Sequence, residues 1–229
     1  MARSVSMGTL VARTQRRSKK EKDDSVMPAE WKELISELYG EAHGLVAETG
    51  CRYFETEATI TANGGASYPL PSDHLASVGV DFVVDATTDR RFELDELQTT
   101  ERTFVSGLTG DARLWAFTGT SVALFPKPSS GTYKHLYVPQ PTDLSLAADA
   151  TTVDLMCIHG EAFVLWGVAA IALHKSDDDQ RRAIDERDKS RERLLEWATE
   201  RLLTVAKRRV VTSVGDLRGM DPADWRWPR

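Results

Sequence analysis

The sequence has few cysteines and no long apolar run. Its 229 residues include two cysteines, Cys51 and Cys157, too few for a disulfide framework and too far apart for a metal-binding pair. The longest apolar run, at residues 162–173, has twelve residues, whereas a membrane-spanning helix needs about 20. The basic N-terminus lacks the continuous apolar stretch of a secretory signal. We therefore expect a protein that is folded in a cytoplasm and binds no membrane.

The patterns of common catalytic and cofactor sites are also missing. There is no glycine-rich phosphate loop and no Gly-x-Ser-x-Gly nucleophile turn. The five histidines stand singly, without the i,i+4 spacing of a zinc helix: they are His43, His74, His135, His159 and His174. We predict that the protein is not an enzyme, with no catalytic residue, metal site or cofactor.

Two short stretches nevertheless contain chemically competent side chains. Residues 72–74 read Ser-Asp-His, the ingredients of a triad, but adjacent residues point in different directions and rarely form its geometry. Residues 177–179 are three aspartates without the ligand spacing of a calcium loop, which favours a charged helix start over a cation site.

Charge is unevenly distributed along the chain. Residues 1–22 carry a net charge of +6, and the remaining residues sum to −12. This pattern predicts a basic N-terminal arm or helix at 1–27, which could meet nucleic acid, an acidic protein surface or only solvent. The candidate contact residues are Arg13, Arg16, Arg17, Lys19 and Lys20. A nucleic-acid-binding protein that uses this arm is one hypothesis for the function.

A strong helical pattern begins at Pro28 and ends at Gly50. Its apolar positions are three and four apart, as expected for one buried stripe: Trp31, Leu34, Ile35, Leu38, Ala42, Leu45 and Val46. Small residues on another face, including Ser36, Gly40 and Gly44, either allow close approach of a helix from another subunit or are tolerated surface glycines.

Helical spacing returns near residue 159. Val164, Val168 and Ile171 belong to a helix that is apolar on all sides, and such a helix must be buried on all sides. A monomer of this size rarely encloses a helix, so we expect a neighbouring subunit to cover part of it. A long charged helix then runs from near Ser176 to about Val210.

Between the helical segments, residues 51–157 are rich in turn signals and short β-favouring runs. The predicted strands are Phe54–Thr61, Val78–Val84, Leu114–Phe117, Val122–Phe125 and Tyr133–Val138. The last two are predicted to form a hairpin, and residues 95–104 a short helix. The chain thus has a predicted α+β fold, in which a helical bundle (28–50 and 158–210) carries an antiparallel β insertion (51–157).

Six of the nine prolines stand in three Pro-x-Pro pairs. Each proline fixes its own φ and pushes the preceding residue into an extended conformation. The stretch at 67–75, Ser-Tyr-Pro-Leu-Pro-Ser-Asp-His-Leu, is therefore predicted to be a stiff extended segment that ends in a tight turn at Ser72 or Asp73.

The last segment, 211–229, is predicted to be an extended docking tail. Two of the six tryptophans fall within its last five residues and alternate with arginine. Tryptophan and arginine are enriched at the energetic centres of interfaces. The candidate docking residues are Asp224, Trp225, Arg226, Trp227 and Arg229.

The order of these motifs resembles the head-to-tail connector (adaptor, or neck) proteins of tailed bacteriophages. The resemblance spans roughly residues 8–210, as ordered groups of matching residues. These are Tyr68, Leu70, Pro71 and Asp73; Leu97, Glu101 and Arg102; and Leu124, Pro126, Pro128, Gly131 and Tyr137. The last ~19 residues lie outside it, as terminal segments often vary.

The resemblance implies a structural protein of the virion neck that is present in the host cytoplasm during assembly. Such a protein forms a homo-oligomeric ring, usually of twelve copies, below the portal protein. The β insertion would face the tail, such as a tail-terminator or nozzle protein, and the C-terminal tail would grip the portal. DNA would pass through the ring, and an acidic body suits such a conduit because like charges do not adhere. The expected subunit interface comprises Ser36, Gly40, Gly44, Val164, Val168 and Ile171.

Overall fold

The computed structural model of the chain describes residues 3–19, 27–65, 67–97, 109–173 and 177–217, with the backbone alone at 177 and 203–217. This part of the chain forms four α-helices and antiparallel sheets, which confirms the predicted α+β class. It divides into two compact units. The helical unit lies within Met1–Cys51 and Pro141–Arg229, and the β unit lies within Arg52–Gln140.

The elements follow in chain order as β1 (Ser4–Ser6), α1 (Met7–Arg17), α2 (Pro28–Glu48), β2 (Thr56–Thr61), β3 (Ser67–Pro69), β4 (His74–Asp85), β5 (Arg90–Glu93), β6 (Asp95–Glu96), β7 (Leu114–Thr118), β8 (Ser121–Phe125), β9 (Thr132–Pro139), β10 (Thr152–Asp154), α3 (Ile158–Ala172) and α4 (Asp177–Leu217).

Helix α3 is the centre of the helical unit. Its side chains Phe163, Val164 and Val168 are fully buried, and α1, α2 and α4 all pack against it. At Gly167, helix α2 approaches so closely that an added Cβ would lie 2.4 Å from Cδ1 of Leu38. The chain's own helices thus surround most of α3, and the predicted contact with a neighbouring subunit stays open at its exposed residues Ile158 and Ile171.

Helix α2 has the apolar stripe that its spacing predicted. Its buried residues are Trp31, Ile35, Leu38, Tyr39, Ala42, His43 and Val46. At the N-terminus of the helix, the carboxylate of Glu30 accepts a hydrogen bond of 2.9 Å from the Met27 N–H. Gly50 follows the C-terminus with a φ of 74°, a conformation that glycine adopts without steric strain.

Helix α4 has 41 residues and a length of about 60 Å, and it extends beyond the predicted end at Val210. The predicted N-cap, Ser176, lies outside the described residues. Leu194 and Ala198 are fully buried on one face, whereas the opposite face is charged and exposed. Over residues 178–202, whose side chains are described, the helix is therefore attached along one stripe.

The β unit contains two four-stranded sheets, with strand orders β2-β9-β4-β5 and β3-β8-β7-β6. The larger core cluster draws Val80 and Tyr133 from the first sheet and Trp115 and Leu124 from the second. Alternate side chains of each strand face this core because successive residues of a strand point to opposite sides.

The Pro-x-Pro segment at 67–75 has the predicted extended form and turn. Its first half is β3, which pairs with β8, and the Leu70 N–H donates to the Thr120 carbonyl at 3.1 Å. The His74 N–H then donates to the Pro71 carbonyl, also at 3.1 Å, and this hydrogen bond closes the turn into β4.

The predicted hairpin between Val122–Phe125 and Tyr133–Val138 is wrong. Strand β8 pairs with β7 and β3, whereas β9 pairs with β2 and β4 in the other sheet. The hairpin of β8 is formed with β7 instead, through a two-residue loop in which Gly119 has a φ of 66°, as a type II′ turn requires. The segment after β8 changes sheets because Pro126 and Pro128 lack the N–H donors that would continue a ladder.

The predicted short helix at 95–104 is also not formed where the chain is described. Asp95–Glu96 is strand β6, parallel to β7, and the Leu97 N–H donates to the Trp115 carbonyl at 2.7 Å. Leu94 and Leu97 are both buried, and they hold this segment extended. Residues 98–104 lie outside the described part of the chain.

Candidate assembly surfaces

The basic N-terminal segment is folded onto the helical unit. Strand β1 pairs with β10, and the Met7 N–H donates to the Thr151 carbonyl at 2.9 Å. The Ser6 side chain caps α1 by accepting from the Thr9 N–H, while Met7 and Leu10 are fully buried. Residues 3–19 therefore form a docked strand and helix, so that of the two predicted forms, arm or helix, this part of the segment has a helix at Met7–Arg17.

Glu161, in the first turn of α3, holds two arginines of this segment. Its side chain is 7% exposed, and its two carboxylate oxygens accept from Nε of Arg3 and Nη1 of Arg13. The hydrogen bond to Glu161 and its negative charge raise the pKa of Arg3. A buried carboxylate needs such partners, because an unpaired charge is strongly disfavoured away from water.

Two further cations of the segment contact other parts of the chain. The guanidinium of Arg17 lies 4.3 Å from the centroid of the Trp166 ring, in a cation–π contact. Burial lowers the pKa of Arg17, and its Nη1 is buried with no hydrogen-bond partner among the described residues. Lys19 Nζ lies 2.6 Å from Oδ2 of Asp179.

These side chains surround an open pocket of about 370 Å³, which we call the arginine pocket. Its lining residues are Arg3, Arg13, Arg16, Arg17, Ile158, Glu161, Ala162 and Leu165. Four guanidinium groups therefore face a single carboxylate, beside an apolar wall that includes the 61% exposed Ile158. Such a surface can bind carboxylates or other oxyanions.

Helix α4 carries charges of both signs on its solvent face, where exposed carboxylates stand among the exposed side chains of Arg181, Arg182, Lys189, Arg191 and Arg193. Five carboxylates there are exposed and stand three or four residues apart, which places them on one side of the helix. The row consists of Asp185, Asp188, Glu192, Glu196 and Glu200. It lies on the side of α4 opposite to the buried Leu194 and Ala198.

The predicted small-residue face of α2 contacts the chain's own 141–144 segment. Ser36 donates to Oδ1 of Asp143 at 3.0 Å and accepts from the Leu144 N–H at 2.9 Å. A Cβ added at Gly40 would lie 3.8 Å from Pro141, whereas one added at Gly44 would meet nothing within 4 Å. The structure thus separates a covered half of this face from an open half.

The α3 residues predicted at a subunit interface are not equally accessible. Val164 and Val168 are completely buried inside the chain, so their side chains cannot reach a neighbouring molecule in this conformation. Ile171 is 44% exposed and remains available.

The β unit contains a polar cluster that the sequence did not reveal. Oγ of Ser77 lies 2.7 Å from Nε2 of His135 and 3.0 Å from Nε2 of His74, and the two imidazole rings stack at 5.5 Å. Irregular register between β4 and β9 on both sides of Ser77 brings these residues together. Burial lowers the pKa of His135 to about 4, with a smaller effect from His74.

The adjacent residues 72–74 do not form a triad. Asp73 accepts a 3.0 Å hydrogen bond from the Tyr137 hydroxyl, and His74 contacts Ser77 instead of the exposed Ser72. The hydrogen bond from Tyr137 ties the turn of the Pro-x-Pro segment to strand β9.

In the described ranges, no group of three His, Cys, Asp or Glu side chains is arranged to hold a metal ion. None of the helices described there combines the length and apolarity that crossing a membrane requires.

Some predicted contact residues lie outside the described part of the chain. These are Lys20 and the tail residues Asp224, Trp225, Arg226, Trp227 and Arg229. Conversely, Glu161 was not among the residues predicted from the sequence. Its signal was a lone carboxylate directly before the apolar run at 162–173, where burial would require a cationic partner from elsewhere in the chain.

Comparisons with known proteins place the chain in one family. No curated protein matches the chain. The family model described as SU10 adaptor protein matches residues 6–212, a range that includes the β unit, helices α1 to α3 and most of α4. The match covers most of the chain, so the protein belongs to the SU10 adaptor protein family, a family of bacteriophage head-to-tail adaptors.

Proposed function

We propose that this phage adaptor forms a ring below the portal protein and joins the DNA-filled head to the tail. The observation that carries the proposal is the family match over residues 6–212, which runs through both compact units. Membership of an adaptor family implies interaction with portal and tail proteins, and a place in the virion neck.

The C-terminal tail is the proposed portal-binding element. Residues 213–229 follow the end of the family match and contain Trp225 and Trp227 with Arg226 and Arg229. Aromatic and arginine side chains supply much of the binding energy of protein interfaces. The β unit is proposed to face the tail, and DNA is proposed to pass through the ring.

Deletion of residues 221–229 tests the portal contact. We expect the shortened protein to keep the circular dichroism spectrum of the full chain but to lose co-sedimentation with portal rings. Unchanged co-sedimentation would refute docking through the tail. Negative-stain images of the full chain with and without portal test ring formation, because an adaptor that assembles only on its partner is monomeric alone.

The alternative of a nucleic-acid-binding protein is not favoured by the contacts in the helical unit. Arg13, Arg17 and Lys19 all contact residues of their own chain. That alternative predicts binding to DNA that falls steeply with salt concentration. A gel shift at low salt tests it, and it fails if no complex forms.

A further inference from the structure

Asn63 is the only asparagine of the chain, and Gly64 and Gly65 follow it directly. The three residues lie between β2 and β3, and both Asn63 and Gly64 are exposed. Asparagine is a thermolabile residue, because the main-chain nitrogen that follows it can attack the carbonyl carbon of its side chain. A glycine at the following position has no Cβ to obstruct this attack, so an Asn-Gly pair favours the reaction.

The side-chain oxygen of Asn63 already has a hydrogen-bond donor. Oδ1 of Asn63 accepts a hydrogen bond of 3.1 Å from the Gly65 N–H. Negative charge develops on this oxygen when a nitrogen adds to Cγ, and a fixed N–H donor stabilises that charge. Space is also available, since a Cβ built at Gly64 would meet nothing within 4 Å. The turn therefore contains both the reactive groups and a donor for the oxygen on which charge develops.

The attacking nitrogen, in contrast, is restrained by the rest of the β unit. The Gly64 N–H donates to the carbonyl of the buried Pro128 at 3.0 Å. The nitrogen must lose this proton before it can attack, and the hydrogen bond retains the proton and fixes the peptide plane. The chain after Pro128 is also secured, because the Gly131 carbonyl accepts from the Ala62 N–H at 2.9 Å. The acceptor of Gly64 is thus held in place while this part of the β unit is closed.

We propose that Asn63 is a deamidation site, and that the hydrogen bond from Gly64 to Pro128 suppresses the reaction in the folded β unit. Local opening that separates Gly64 from Pro128 frees the nitrogen, and Asn63 then reacts as it would in an unfolded chain. The rate of deamidation in the folded protein therefore follows the free energy of this opening. The Pro-x-Pro pair formed by Pro126 and Pro128 gains a protective role that is independent of the proposed function.

The reaction consumes water and releases ammonia. A base such as hydroxide removes the proton of the Gly64 N–H, the nitrogen forms a bond to Cγ of Asn63, and the bond from Cγ to Nδ2 breaks. Nδ2 leaves as ammonia after it takes a proton from solvent, and a succinimide ring remains. Water then opens either carbonyl of the ring, which gives an aspartate or an isoaspartate at position 63. No oxidant or reductant takes part.

Either product changes the turn irreversibly. Both place an exposed negative charge where the amide stood, and the isoaspartate also lengthens the main chain by a methylene group. The Asn63 N–H donates to the Tyr68 hydroxyl at 3.4 Å, and Tyr68 belongs to β3 and to the larger core cluster of the β unit. We therefore expect the isoaspartate to disturb the main chain that leads into β3.

The experiment measures isoaspartate at position 63 in the full-length chain. The protein is incubated in mildly alkaline buffer with and without guanidinium chloride and then digested with trypsin. Mass spectrometry and enzymatic isoaspartyl methylation follow the peptide that contains position 63. We expect deamidation to be roughly tenfold or more slower in the folded chain than in the denatured chain. The variant Asn63→Gln should form no isoaspartate at this position.

Two proline variants test the role of Pro128. Pro128→Ala keeps the carbonyl that Gly64 contacts, but it gives the opened segment more conformational freedom. The folded variant should therefore deamidate roughly two- to fivefold faster than the folded wild type. Pro141→Ala is the matched control, because it also changes the second proline of a Pro-x-Pro pair but lies in the helical unit. Its rate should equal that of the wild type, and in denaturant all three chains should react at one rate.

Hydrogen exchange of the Gly64 N–H gives a second measurement that needs no variant. The free energy of opening from exchange should match the ratio of the denatured and folded deamidation rates, and a mismatch overturns the proposed suppression. Folded wild type that deamidates as fast as the denatured chain also overturns it. Denatured chain that forms no isoaspartate overturns the site itself. Equal rates in folded Pro128→Ala and Pro141→Ala, with folding checked by circular dichroism, overturn the role of Pro128.

Discussion

Arg13 and Glu161 form an ion pair across 148 residues of sequence, and this contact fixes α1 against the first turn of α3. Arg3 reaches the second oxygen of the same carboxylate from β1. One acidic side chain therefore holds both elements of the N-terminal segment to the helical unit, in addition to the apolar contacts of Met7 and Leu10.

Replacement of Glu161 by Gln should weaken this attachment. The amide cannot accept both charged hydrogen bonds, and it leaves two guanidinium groups without their counter-charge. Hydrogen bonds to charged groups contribute about 1.5–3 kcal/mol, so we expect the free energy of unfolding to fall by an amount in this range. Urea denaturation followed by circular dichroism measures it. The control is Glu196→Gln, an exposed site whose replacement should change stability by less than about 0.5 kcal/mol.

Two glycines of the helical unit should respond to alanine in opposite directions. At Gly167 the new methyl group would lie 2.4 Å from Cδ1 and 2.9 Å from Cγ of the buried Leu38. We therefore expect alanine at this position to lower the free energy of unfolding by about 1–3 kcal/mol. At Gly44 the methyl group meets nothing within 4 Å. Alanine there should raise the free energy of unfolding by about 0.5–1 kcal/mol, because alanine has a higher helix propensity than glycine. Thermal denaturation of both variants checks the sign of each change in stability. If Gly167→Ala stabilises the protein, the close packing of α2 on α3 is contradicted.

The Pro-x-Pro segment should stabilise the β unit by restricting the unfolded chain. Pro69→Ala with Pro71→Ala enlarges the conformational freedom of that chain, and each change should lower stability by about 0.4–1 kcal/mol. Hydrogen exchange at the Leu70 N–H, which donates to Thr120, should speed up correspondingly. Ser72→Ala is the control, because Ser72 is exposed in the same turn and should leave the exchange rate unchanged.

The elements that could be predicted from sequence are those whose signal is local. The apolar stripe of α2 and the proline-restricted segment at 67–75 are set by neighbouring residues, and both have the expected form. The partner of β8 could not be predicted in this way. A long loop after Phe125 and a two-residue loop before Ser121 both permit a hairpin, and sheet pairing is decided by burial that involves distant strands.

The candidate sites also divide into features with a local sequence signal and features that depend on tertiary contacts. Clustering of basic residues at 1–22 was visible in the sequence, but the position of Glu161 opposite Arg3 and Arg13 depends on tertiary packing. Likewise, Ser77 and His135 are 58 residues apart, and only the irregular register of β4 against β9 brings them within 2.7 Å. Chemistry that depends on long-range contacts leaves no spacing pattern to read.

The buried His135 should make stability depend on pH. Its pKa is about 4 in the folded chain, against an ordinary value of 6.5, because burial disfavours the charged imidazole. Above pH 6.5 neither state binds the proton, whereas between 6.5 and 4 the unfolded state binds it and the folded state does not. The contribution of His135 to the free energy of unfolding should therefore fall across this window as the pH falls, by roughly 1.4 kcal/mol per pH unit at most. Urea denaturation of the wild type and of His135→Gln at pH 7, 6 and 5 isolates the contribution of His135, because the variant keeps the pH dependence of stability that His74 causes. The difference in free energy of unfolding between the wild type and His135→Gln should change from pH 7 to pH 5. If that difference stays constant, or if the NMR signals of the His135 ring titrate near pH 6.5, the ring is not held neutral by burial.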